Sequence, residues 1–536
     1  MENERRVFGP PGTGKSSYLA GYIDRDGVWH RGQVHVAAEK YGGERVLVTS
    51  FTRAAAIEIG ARDTGLPKEN IGTLHSMAYQ LMGRPPIADL PKHVGEFNQA
   101  FPHFRLSGGV DEDGDAQPIE QGATRGDALL QRYNRLRAEM LPVPPVADLQ
   151  AFITAWEGWK TEAGRQDFTD LLNELLKYPY PPHAAKVLFV DEAQDLTPLQ
   201  FAIVRKWAPQ LETLVLAGDD DQILYEHLGA SPEAFLLPPV EDAHKRVLAQ
   251  SYRVPAAIHQ RAQAWIERVA FREPKEYRPR DEEGEVERIN ASIDHPQPAI
   301  ADAEARIAAG QSVMFLATCG YMLNKIKAEL RSAAIPFWNP YKQTRGDWNP
   351  LRTSKGPAQR VVHFLGGDEG AWTAKELADW VSVLRSDGVL ARGAKAELDR
   401  LASADGKRIL AAEEWQRFIE PDAWQPVLDG NLEWFRGALM PSKRDMHLYA
   451  IDVAQRRGPD ALATPPKVII GTVHSVKGGE ADAVYVFPDL SLQGVMSQRE
   501  PAGRDSIRRQ FYVAMTRAKQ SLLLPQPASA NAVQGL

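Results

Sequence analysis

A glycine-rich stretch near the start of the chain constrains the fold more than any other feature. Gly9-Pro-Pro-Gly-Thr-Gly-Lys15-Ser16 has the spacing G-x-x-x-x-G-K-S and follows a short apolar pair, Val7-Phe8. Glycines let backbone N–H groups curl around phosphate oxygens, and the helix that follows directs its positive N-terminus at them. The pattern therefore predicts a strand, a phosphate-binding loop and a helix, in which Lys15 reaches the β- and γ-phosphates and Ser16 ligates Mg²⁺.

Short apolar runs rich in branched residues recur along the chain, with helical patterns between them. Such runs are typical of buried strands in parallel sheets. One group lies within the first 220 residues and the other begins after about residue 310, which predicts an α/β fold with two lobes. The runs are Val46–Val48, Val187–Val190, Leu214–Leu216, Val313–Leu316, Val468–Ile470 and Val484–Val486.

Two of these runs end in acidic residues. Val187–Val190 is followed by Asp191 and Glu192, and the run after Leu214 is followed by Gly218-Asp-Asp-Asp-Gln222. Because the carboxyl ends of parallel strands meet at the ligand-binding edge of a sheet, we expect these groups in one cleft with the glycine-rich loop. There Asp191 would hold Mg²⁺, and Glu192 would orient and deprotonate the attacking water.

Arginines complete the chemistry that such a cleft needs. A phosphoryl group accumulates negative charge during transfer, and guanidinium groups delivered from another lobe stabilise that charge. Arg253 in Gln250-Ser-Tyr-Arg253 and Arg517 in Tyr512-Val-Ala-Met-Thr-Arg517 are the candidates. A surface role is the alternative for each arginine taken alone.

Composition narrows the class of protein. Lys and Arg number 63 against 70 Asp and Glu, so the net charge of −7 excludes a polycation that grips nucleic acid by bulk charge. The single cysteine, Cys319, excludes an internal disulfide framework and a multi-cysteine metal site. No apolar run approaches the roughly 18 residues of a membrane span, and no signal-peptide pattern is present. We therefore expect a soluble, cytoplasmic protein of bacterial or phage origin that does not bind membranes.

Eight sequence motifs follow one another in a fixed order. They are Gly9–Ser16, Ser50–Ala55, Gly72–His75, Asp191–Asp195, Gly218–Gln222, Ser251–Arg253, Gly471–Glu480 and Arg508–Ala518. This set, which covers nearly the whole chain, resembles the UvrD/Rep (PcrA-like) family of superfamily 1A DNA helicases. The resemblance implies two RecA-like P-loop lobes with parallel sheets, 1A and 2A, each carrying a mainly helical insertion, 1B and 2B.

The resemblance also implies domain boundaries, because two stretches without strand character fall where the family has its insertions. We expect lobe 1A at 1–85 and 179–240, insertion 1B at 86–178, lobe 2A at 241–340 and 455–524, insertion 2B at 341–454, and a disordered tail at 525–536. Insertion 1B contains an acidic loop, Gly108–Gly114. Insertion 2B contains a basic, aromatic stretch from Tyr341 to Arg360, including Arg352 and Lys355, which is either a duplex grip or a solvated loop.

Roles for individual residues at the nucleotide follow from the same resemblance. It implies that Tyr252 stacks on adenine, that Glu480 contacts the ribose and that Gln222 couples the γ-phosphate to the DNA path. It also implies that Arg253 and Arg517 sense the γ-phosphate across the lobe interface. The residues expected to bind ATP are Gly9, Pro10, Gly12, Thr13, Gly14, Lys15, Ser16, Ser17, Tyr252 and Glu480. Those expected to act in catalysis are Lys15, Asp191, Glu192, Gln222, Arg253 and Arg517.

Single-stranded DNA is the expected partner, since its backbone is held by polar groups while its bases stack on aromatic faces. The sequence Gly-Asp-Asp-Asp-Gln222 followed by Tyr225 is similar to the 3′→5′ branch of the family. The residues that the resemblance places on the DNA are Phe51, Thr52, Arg53, Thr73, His75, Tyr225, His227, Thr472 and His474. RNA stays an alternative strand.

Several positions depart from the family pattern. Ser17 stands where many relatives have an arginine beside the base, and Arg53 replaces a frequent asparagine. His227 and Leu228 stand where a base-stacking tryptophan and an arginine are common. Eight residues precede Gly9, and the glutamine motif that reads adenine in the family is not among them.

Three functions are compatible with these features. The resemblance favours an ATP- and Mg²⁺-dependent 3′→5′ DNA translocase and helicase that acts on single strands and junctions, as a monomer or weak oligomer. The second is a DNA-stimulated ATPase that displaces proteins or remodels recombination and repair intermediates. The third is a nucleotide switch subunit of a nuclease or defence complex.

Overall fold

The computed structural model describes residues 2–24, 26–62, 64–107, 124–343, 345–351, 356–367 and 370–536. Two compact units divide the chain. The first unit comprises Met1–Glu285 and Leu492–Gln520, and the second comprises Val286–Ser491 and Ser521–Leu536. The expected acidic loop Gly108–Gly114 and the basic residues Arg352 and Lys355 lie outside the described residues.

Sixteen strands are found in the described part of the chain. They are β1 Glu4–Phe8, β2 Tyr22–Ile23, β3 Trp29–His30, β4 Val46–Ser50, β5 Ile71–Gly72, β6 Val187–Asp191, β7 Thr213–Gly218, β8 Lys245–Val247, β9 Glu285–Ile289, β10 Val313–Ala317, β11 Phe337–Trp338, β12 Trp372–Thr373, β13 Ile409–Leu410, β14 Val468–Thr472, β15 Ala481–Val486 and β16 Ala518–Pro525. All six apolar runs of the sequence lie within these strands, as predicted.

Helices occupy most of the remaining described residues. They are α1 Lys15–Ala20, α2 Gln33–Tyr41, α3 Arg53–Gly60, α4 Leu74–Leu81, α5 Pro91–Ala100, α6 Arg125–Ala138, α7 Ala147–Glu162, α8 Phe168–Lys177, α9 Pro198–Trp207, α10 Pro232–Leu236, α11 Ala256–Ile266, α12 Gln297–Ala308, α13 Asn324–Ser332, α14 Pro357–Leu365, α15 Ala374–Val381, α16 Ala394–Ala404, α17 Ala412–Trp415, α18 Trp424–Leu428, α19 Leu432–Ala438, α20 Pro441–Arg457, α21 Asp460–Ala463, α22 Leu492–Ser497 and α23 Pro501–Met515. None of the helices described combines the length and the apolar character needed to cross a bilayer.

Two six-stranded sheets organise these elements and confirm the α/β fold class. The first has the order β5-β4-β6-β7-β1-β8, and every neighbouring pair in it is parallel. The second has the order β11-β14-β10-β15-β16-β9, and β10 pairs in parallel with both β14 and β15. The architecture is that of two RecA-like sheets with helices.

The register of the first sheet brings the predicted polar residues to one edge. Ser50 at the end of β4 is opposite Asp191 at the end of β6, and Phe8 at the end of β1 is opposite Gly218 at the end of β7. The N–H of Gly9 donates to the carbonyl of Gly218 at 3.0 Å. The glycine-rich loop and both acidic motifs therefore leave the sheet side by side.

Alternation of side chains along these strands gives the first sheet two apolar faces. Val7 and Phe189 pack on the face covered by α1 and α2, whereas Phe8 and Leu188 pack on the opposite face with residues of α4, α8 and α9. Because both faces are covered, the strands read as continuous apolar runs rather than as alternating ones.

The insertions are mainly helical. Helices α5 to α8 occupy most of the first interruption. Helices α5 to α7 share an aromatic core that contains Phe97, Phe152, Trp156 and Trp159, whereas the buried leucines of α8 pack in the core beneath the first sheet. Helices α14 to α20 occupy the second, and their apolar residues join the core of the second unit.

The division of the chain by contacts differs from the expected lobe boundaries. Residues 241–285 and 492–520, which were expected in lobe 2A, belong to the first unit. Lys275 and Arg509 show the physical reason, since both bond to the acidic segment that follows β7. Arg253 and Arg517 accordingly lie in the same unit as the glycine-rich loop, not in a different one.

The expectation of a disordered tail at 525–536 is wrong. The N–H of Gln526 donates to the carbonyl of Ala291 at 2.7 Å, and the N–H of Val533 donates to Pro488 at 2.9 Å. Val533 and Leu536 are buried. Small and polar composition suggested disorder, but the few apolar side chains of this segment find a surface within the second unit.

Candidate nucleotide and nucleic-acid site

The glycine-rich loop is held open by its own backbone. Gly12 and Gly14 have φ angles of 74° and 78°, in the left-handed region that favours glycine. A Cβ on Gly9 would lie 2.1 Å from Cγ of Lys15, so only glycine fits there. Thr13 donates its hydroxyl to the carbonyl of Pro10 at 2.8 Å. The loop thus has the shape that phosphate binding requires, with Ser16 and Ser17 in the first turn of α1.

Lys15 is positioned between the loop and the acidic end of β6. Its Nζ donates to the carbonyl of Gly9 at 2.9 Å and lies 3.9 Å from Oε1 of Glu192. Glu192 has a φ of 51°, which is uncommon for a residue with a side chain and often marks a functional site. The structure therefore brings the predicted cation and the predicted base together.

The oxygen atoms near the end of β6 suit a divalent cation of the Mg²⁺ type. Asp191 is 1% exposed, and Ser50 is opposite it in the register. The Ser50 hydroxyl is buried and has no hydrogen-bond partner among the described residues. Together with the hydroxyl of Ser16, this set consists of hard oxygen donors, which are the ligands that Mg²⁺ prefers. The residues present therefore fit the expected ion.

A chain of hydrogen bonds runs from Glu192 to Arg517. Oε2 of Glu192 accepts from Nε2 of Gln194, whose Oε1 accepts from the N–H of Asp219 at 3.1 Å. Oδ2 of Asp219 accepts from Nε2 of Gln222 at 2.7 Å, and Oε1 of Gln222 accepts from Nη2 of Arg517 at 3.1 Å. We call this set the relay. It joins three predicted catalytic residues that are far apart in the sequence.

Three neighbouring buried aspartates, of which Asp219 is part of the relay, are bound by two cations. Nζ of Lys275 lies 3.0 Å from Asp219, 2.6 Å from Asp220 and 2.9 Å from Asp221. Arg272 bonds to both oxygens of Asp221, at 2.8 and 2.5 Å. Burial raises the pKa of Asp220 to about 6, whereas Lys275 and Arg272 outweigh burial at Asp221 and lower its pKa. We call Asp219–Asp221 with Lys275 and Arg272 the acidic clamp.

Residues around Arg253 brace the glycine-rich loop directly. The hydroxyls of Ser251 and Tyr277 each donate to the carbonyl of Pro11 at 2.9 Å. The N–H of Tyr252 donates to the carbonyl of Gly12 at 2.8 Å, while its side chain is 75% exposed. The exposed ring is available to a base next to the loop, which is the role expected for Tyr252.

Arg253 and Arg517 occupy different surroundings within the first unit. A Cβ on Gly12 would lie 2.5 Å from Cβ of Arg253, so this arginine is next to the loop. Arg517 is buried and also donates through Nε to the carbonyl of Val513 at 3.0 Å. Arg253 therefore has its backbone beside the loop, whereas Arg517 contacts the candidate site through its side chain, at Gln222.

Two aromatic side chains expected on the DNA path lie against each other. The ring centroids of Phe51 and Tyr225 are 4.6 Å apart, and those of Tyr225 and His227 are 6.0 Å apart. Tyr225 follows Gln222 of the relay by three residues, and Asp195 Oδ1 accepts from the N–H of Leu224 at 3.3 Å. The aromatic group is thus connected to the acidic motif by a short and well-bonded segment.

Other residues expected on the DNA path have local structural tasks. The hydroxyls of Thr52 and Thr73 cap α3 and α4 by accepting from the N–H groups of Ala55 and Ser76. Arg53 begins α3, and its side chain is outside the described part of the structure. These threonines fix the helix ends at which the motif residues stand.

His75 is uncharged near neutral pH. Burial lowers the pKa of its imidazole to about 4, and its ring lies edge-on to Phe168 with centroids 5.8 Å apart. A neutral ring can stack or accept a hydrogen bond, but it cannot attract a phosphate by charge.

Three of the predicted residues, Thr472, His474 and Glu480, belong to the second unit. Thr472 ends β14, and its hydroxyl accepts from the N–H of Ser475 at 3.2 Å. His474 begins the turn that follows, and Glu480 is exposed in the loop before β15.

Sequence reasoning missed the residues that hold the acidic motif in place. Lys275 and Arg272 lie in a segment without a recognised motif, as does Tyr277, which braces the glycine-rich loop, and Gln194 lies within a motif but had no predicted role. Arg509 was also missed, although its Nε donates to the carbonyl of Asp220 at 2.9 Å. The charged pattern Arg272-Glu-Pro-Lys275 is the one signal in the sequence, and it resembles an ordinary surface segment.

Comparison with protein families gives two matches along the chain. Residues 2–227 match a family described as an AAA domain. Residues 450–526 match the family described as the UvrD-like helicase C-terminal domain. The two matches contain the glycine-rich loop and the motif of Arg517, respectively.

Individual relatives carry consistent names. The putative ATP-dependent DNA helicase YjcD of Bacillus subtilis is 25% identical over 218 residues, which are 36% of this chain and 28% of the relative. The ATP-dependent DNA helicase UvrD2 of Mycobacterium tuberculosis is 24% identical over 575 positions, covering 97% of this chain and 76% of the relative. PcrA of Staphylococcus aureus, also named an ATP-dependent DNA helicase, is 26% identical over 43% of this chain and 34% of its own length. The chain thus matches under a third of YjcD.

Proposed function

Because this chain belongs to the UvrD/PcrA-like helicase family, we propose that it is an ATP-dependent 3′→5′ single-stranded DNA translocase and DNA helicase. In this proposal Mg²⁺-ATP is hydrolysed next to the glycine-rich loop, and the hydrolysis cycle drives strand separation. The protein would act on single strands and on junctions with duplex DNA, in the cytoplasm, as a monomer or weak oligomer. The stretches 86–178 and 341–454 would be insertions 1B and 2B.

The relay is the observation that carries the proposal. It links Glu192, which is 3.9 Å from Lys15, to Gln222 and Arg517 through direct hydrogen bonds. A site that only stored a nucleotide would not need a continuous bonded path from the hydrolytic carboxylate to a segment carrying aromatic rings. Such a path suits a motor, because a change at the γ-phosphate must alter the contacts that hold the DNA strand.

Hydrolysis of ATP requires that the negative charge on the phosphate oxygens is neutralised and that a water molecule is oriented towards the γ-phosphate. In our proposal the loop N–H groups and the Lys15 ammonium bind the phosphate oxygens, and Glu192 orients the attacking water and accepts its proton. Arg253 and Arg517 supply positive charge to the oxygens of the transferring group. Tyr252 would stack on the base, since its exposed ring is fixed beside Gly12 through its backbone.

Asp191 and the hydroxyl of Ser16 would hold the expected Mg²⁺, with Ser50 close to them. When bound, Mg²⁺ supplies charge neutralisation to the β- and γ-phosphates. The burial of Asp191 keeps its carboxylate fixed for this purpose. ATP and Mg²⁺ are thus the proposed substrate and cofactor.

The strand would be held in the first unit by the Phe51 and Tyr225 rings. Base stacking on aromatic side chains contributes roughly 1–3 kcal/mol per base and tolerates any sequence. Thr52, Arg53, Thr73, His75 and His227 would line the same path, and Thr472 and His474 are proposed strand contacts from the second unit. Glu480 is proposed to contact the ribose of ATP. Movement of Gln222 would be transmitted to Tyr225 along three residues of backbone.

Unwinding assays with 3′-tailed, 5′-tailed and blunt duplexes test this function. We expect ATP-dependent strand separation on the 3′-tailed duplex and little on the others. Unwinding of only the 5′-tailed substrate would overturn the polarity. DNA-stimulated ATP hydrolysis without unwinding, together with displacement of streptavidin from a biotinylated strand, would favour the remodelling ATPase instead. A stable co-purifying partner with no stimulation by DNA would favour the switch subunit.

A further inference from the structure

A cavity in the first unit is lined by residues other than those of the glycine-rich loop. It has a volume of about 460 Å³. It lies between the first sheet and the helices α1 and α2, next to the edge strand β8. Its floor is apolar and comes from three neighbouring strands, with Val7, Phe189 and Val215 among its residues. Volumes of this order are typical of pockets for small molecules.

The lining of this cavity is strongly basic. Five Lys or Arg residues and one His line the cavity, and none of its described lining residues is Asp or Glu. The guanidinium of Arg6 itself bonds to the carbonyls of Leu236 and Pro238, on the opposite side of the sheet. The basic residues are Arg5, Arg6, Lys40, His244, Lys245 and Arg246. The whole chain has a net charge of −7, so this concentration of positive charge does not follow from composition.

Only part of that charge is neutralised by neighbours. Arg6 pairs with Glu4 at 2.7 Å, and Lys245 pairs with Glu273 at 2.7 Å. Arg5 donates to backbone carbonyls and forms no ion pair among the described residues. Lys40 and Arg246 also form no ion pair among the described residues: Lys40 interacts with Tyr41 and, more weakly, with the Glu212 carboxylate, and Arg246 lies over the Tyr18 ring. Three cations in one cavity therefore favour an anionic ligand.

Aromatic rings hold two of these cations in place. The Arg246 guanidinium lies 4.9 Å from the centroid of Tyr18, and Nζ of Lys40 lies 4.7 Å from that of Tyr41. Cation–π contacts of this kind restrict the side chains before a ligand arrives. The amide of Gln33 lines the same cavity and can both donate and accept a hydrogen bond.

We propose that this cavity is a second nucleotide-binding site, which takes a free nucleotide with more than one phosphate. The phosphates would contact Arg5, Lys40 and Arg246, and the base would lie over the apolar floor with Gln33 at its edge. A half-open pocket of about 460 Å³, bordered by two helices, a sheet and an edge strand, suits one nucleotide, whereas strand-binding sites are long grooves. The site shares β1 and α1 with the glycine-rich loop but none of its residues Gly9–Ser16.

Counting bound nucleotides tests this proposal. In equilibrium dialysis with radiolabelled ADP, we expect the unsubstituted chain to bind two molecules and the Lys40→Glu/Arg246→Glu variant to bind one. The Lys68→Glu/Lys92→Glu variant makes the same change of charge at exposed positions outside the cavity and should still bind two. Lys15→Ala should weaken the site at the loop and leave the cavity site at its original affinity.

Several results would overturn the proposal. One ADP per unsubstituted chain would do so, as would an equal loss of binding in the control variant, which would indicate non-specific attraction. If the Lys40→Glu/Arg246→Glu variant loses binding of oligothymidylate but still binds two ADP molecules, the cavity holds a DNA strand and not a nucleotide. If charge reversal impairs folding, as judged by circular dichroism, Lys40→Gln/Arg246→Gln must lower the affinity of one site at least tenfold. ATP hydrolysis by these variants is measured separately, so a failure of the cavity site is distinguishable from a failure of the proposed motor.

Discussion

The glycine-rich loop and the acidic clamp lie at the same edge of the first sheet, after the neighbouring strands β1 and β7. Each contains a lysine close to carboxylates, but the two lysines are placed differently. Nζ of Lys15 has the Glu192 carboxylate at 3.9 Å and is held by a backbone carbonyl, whereas Nζ of Lys275 has three carboxylates within 3.0 Å. The ammonium of Lys15 is positioned to receive an anion, whereas the ammonium of Lys275 is already surrounded by three carboxylates.

This contrast shows that one functional group can serve chemistry or structure according to how many partners surround it. Removing a cation that binds substrate should reduce activity with little effect on stability. Removing a cation from a buried cluster leaves charged oxygens without compensation, which is strongly destabilising. Substitutions at the two lysines therefore test the assignment of each.

Lys15→Ala should have the largest effect on turnover. The phosphate oxygens lose their main charged contact, so we expect ATP hydrolysis to fall by about 10³-fold or more. The free energy of unfolding should change by less than about 0.5 kcal/mol, because no buried partner is left behind. Phosphate release and urea denaturation measure the two quantities, with Lys92→Ala as an exposed control.

Lys275→Met should show the opposite balance. Three buried aspartates lose their shared cation, so we expect the free energy of unfolding to drop by about 3–5 kcal/mol. Lys275→Arg retains the charge and should restore much of the stability. An unfolding curve for Lys275→Met that superimposes on that of the unsubstituted chain would show that the acidic clamp is not structural.

Gln222→Glu should have an intermediate effect, because Gln222 joins the acidic clamp to Arg517. The substitution keeps an oxygen for Arg517 but removes the N–H that Asp219 accepts and adds a like charge beside it. We expect the stimulation of ATP hydrolysis by single-stranded DNA to fall about tenfold, with basal hydrolysis less affected. Gln210→Glu, at an exposed position, is the matched control and should behave normally.

A second carboxylate cluster, in the helical insertion, extends the comparison to a region without expected chemistry. Asp167 is bound by Lys160 and Arg137, but Asp89 is buried beside it with one oxygen lacking a hydrogen bond. Burial and Asp167 raise the pKa of Asp89 to about 7. The folded chain therefore holds a proton that the unfolded chain releases near pH 4, and stability is lost as the pH rises towards 7.

Asp89→Asn should remove this loss, and its effect should appear only in the pH dependence of stability. Between about pH 4.5 and 6.5, the unsubstituted chain should lose on the order of 1 kcal/mol per pH unit relative to the variant. Denaturation at a series of pH values measures the difference, with Asp445→Asn as an exposed control. Parallel pH profiles for the chain and the Asn variant would show that Asp89 is ionised throughout.

Local sequence predicted much of the fold and part of the site. The strands were predictable because short runs of branched apolar residues are typical of buried strands in parallel sheets. The loop was predictable because its backbone requires glycine at Gly9, Gly12 and Gly14. The family assignment was predictable because the motifs occur in order along the chain, and the comparisons confirm it.

The contacts of the acidic motif could not be read in the same way. Lys275 approaches Asp219–Asp221 only because the chain folds back more than fifty residues later, and nothing in the nearby sequence marks that contact. The segment 525–536 was misjudged for a related reason. Its composition carries no information about the surface that Val533 and Leu536 find in the second unit.

ATP hydrolysis by Glu192→Gln in the presence of single-stranded DNA tests the central claim most directly, because the side chain keeps its shape but loses its charge and its capacity to accept a proton. The account predicts a folded protein that still binds ATP and DNA, with turnover reduced by at least about 10²-fold. Turnover within about threefold of the unsubstituted chain would contradict the account, since Glu192 could then not be the group that activates water.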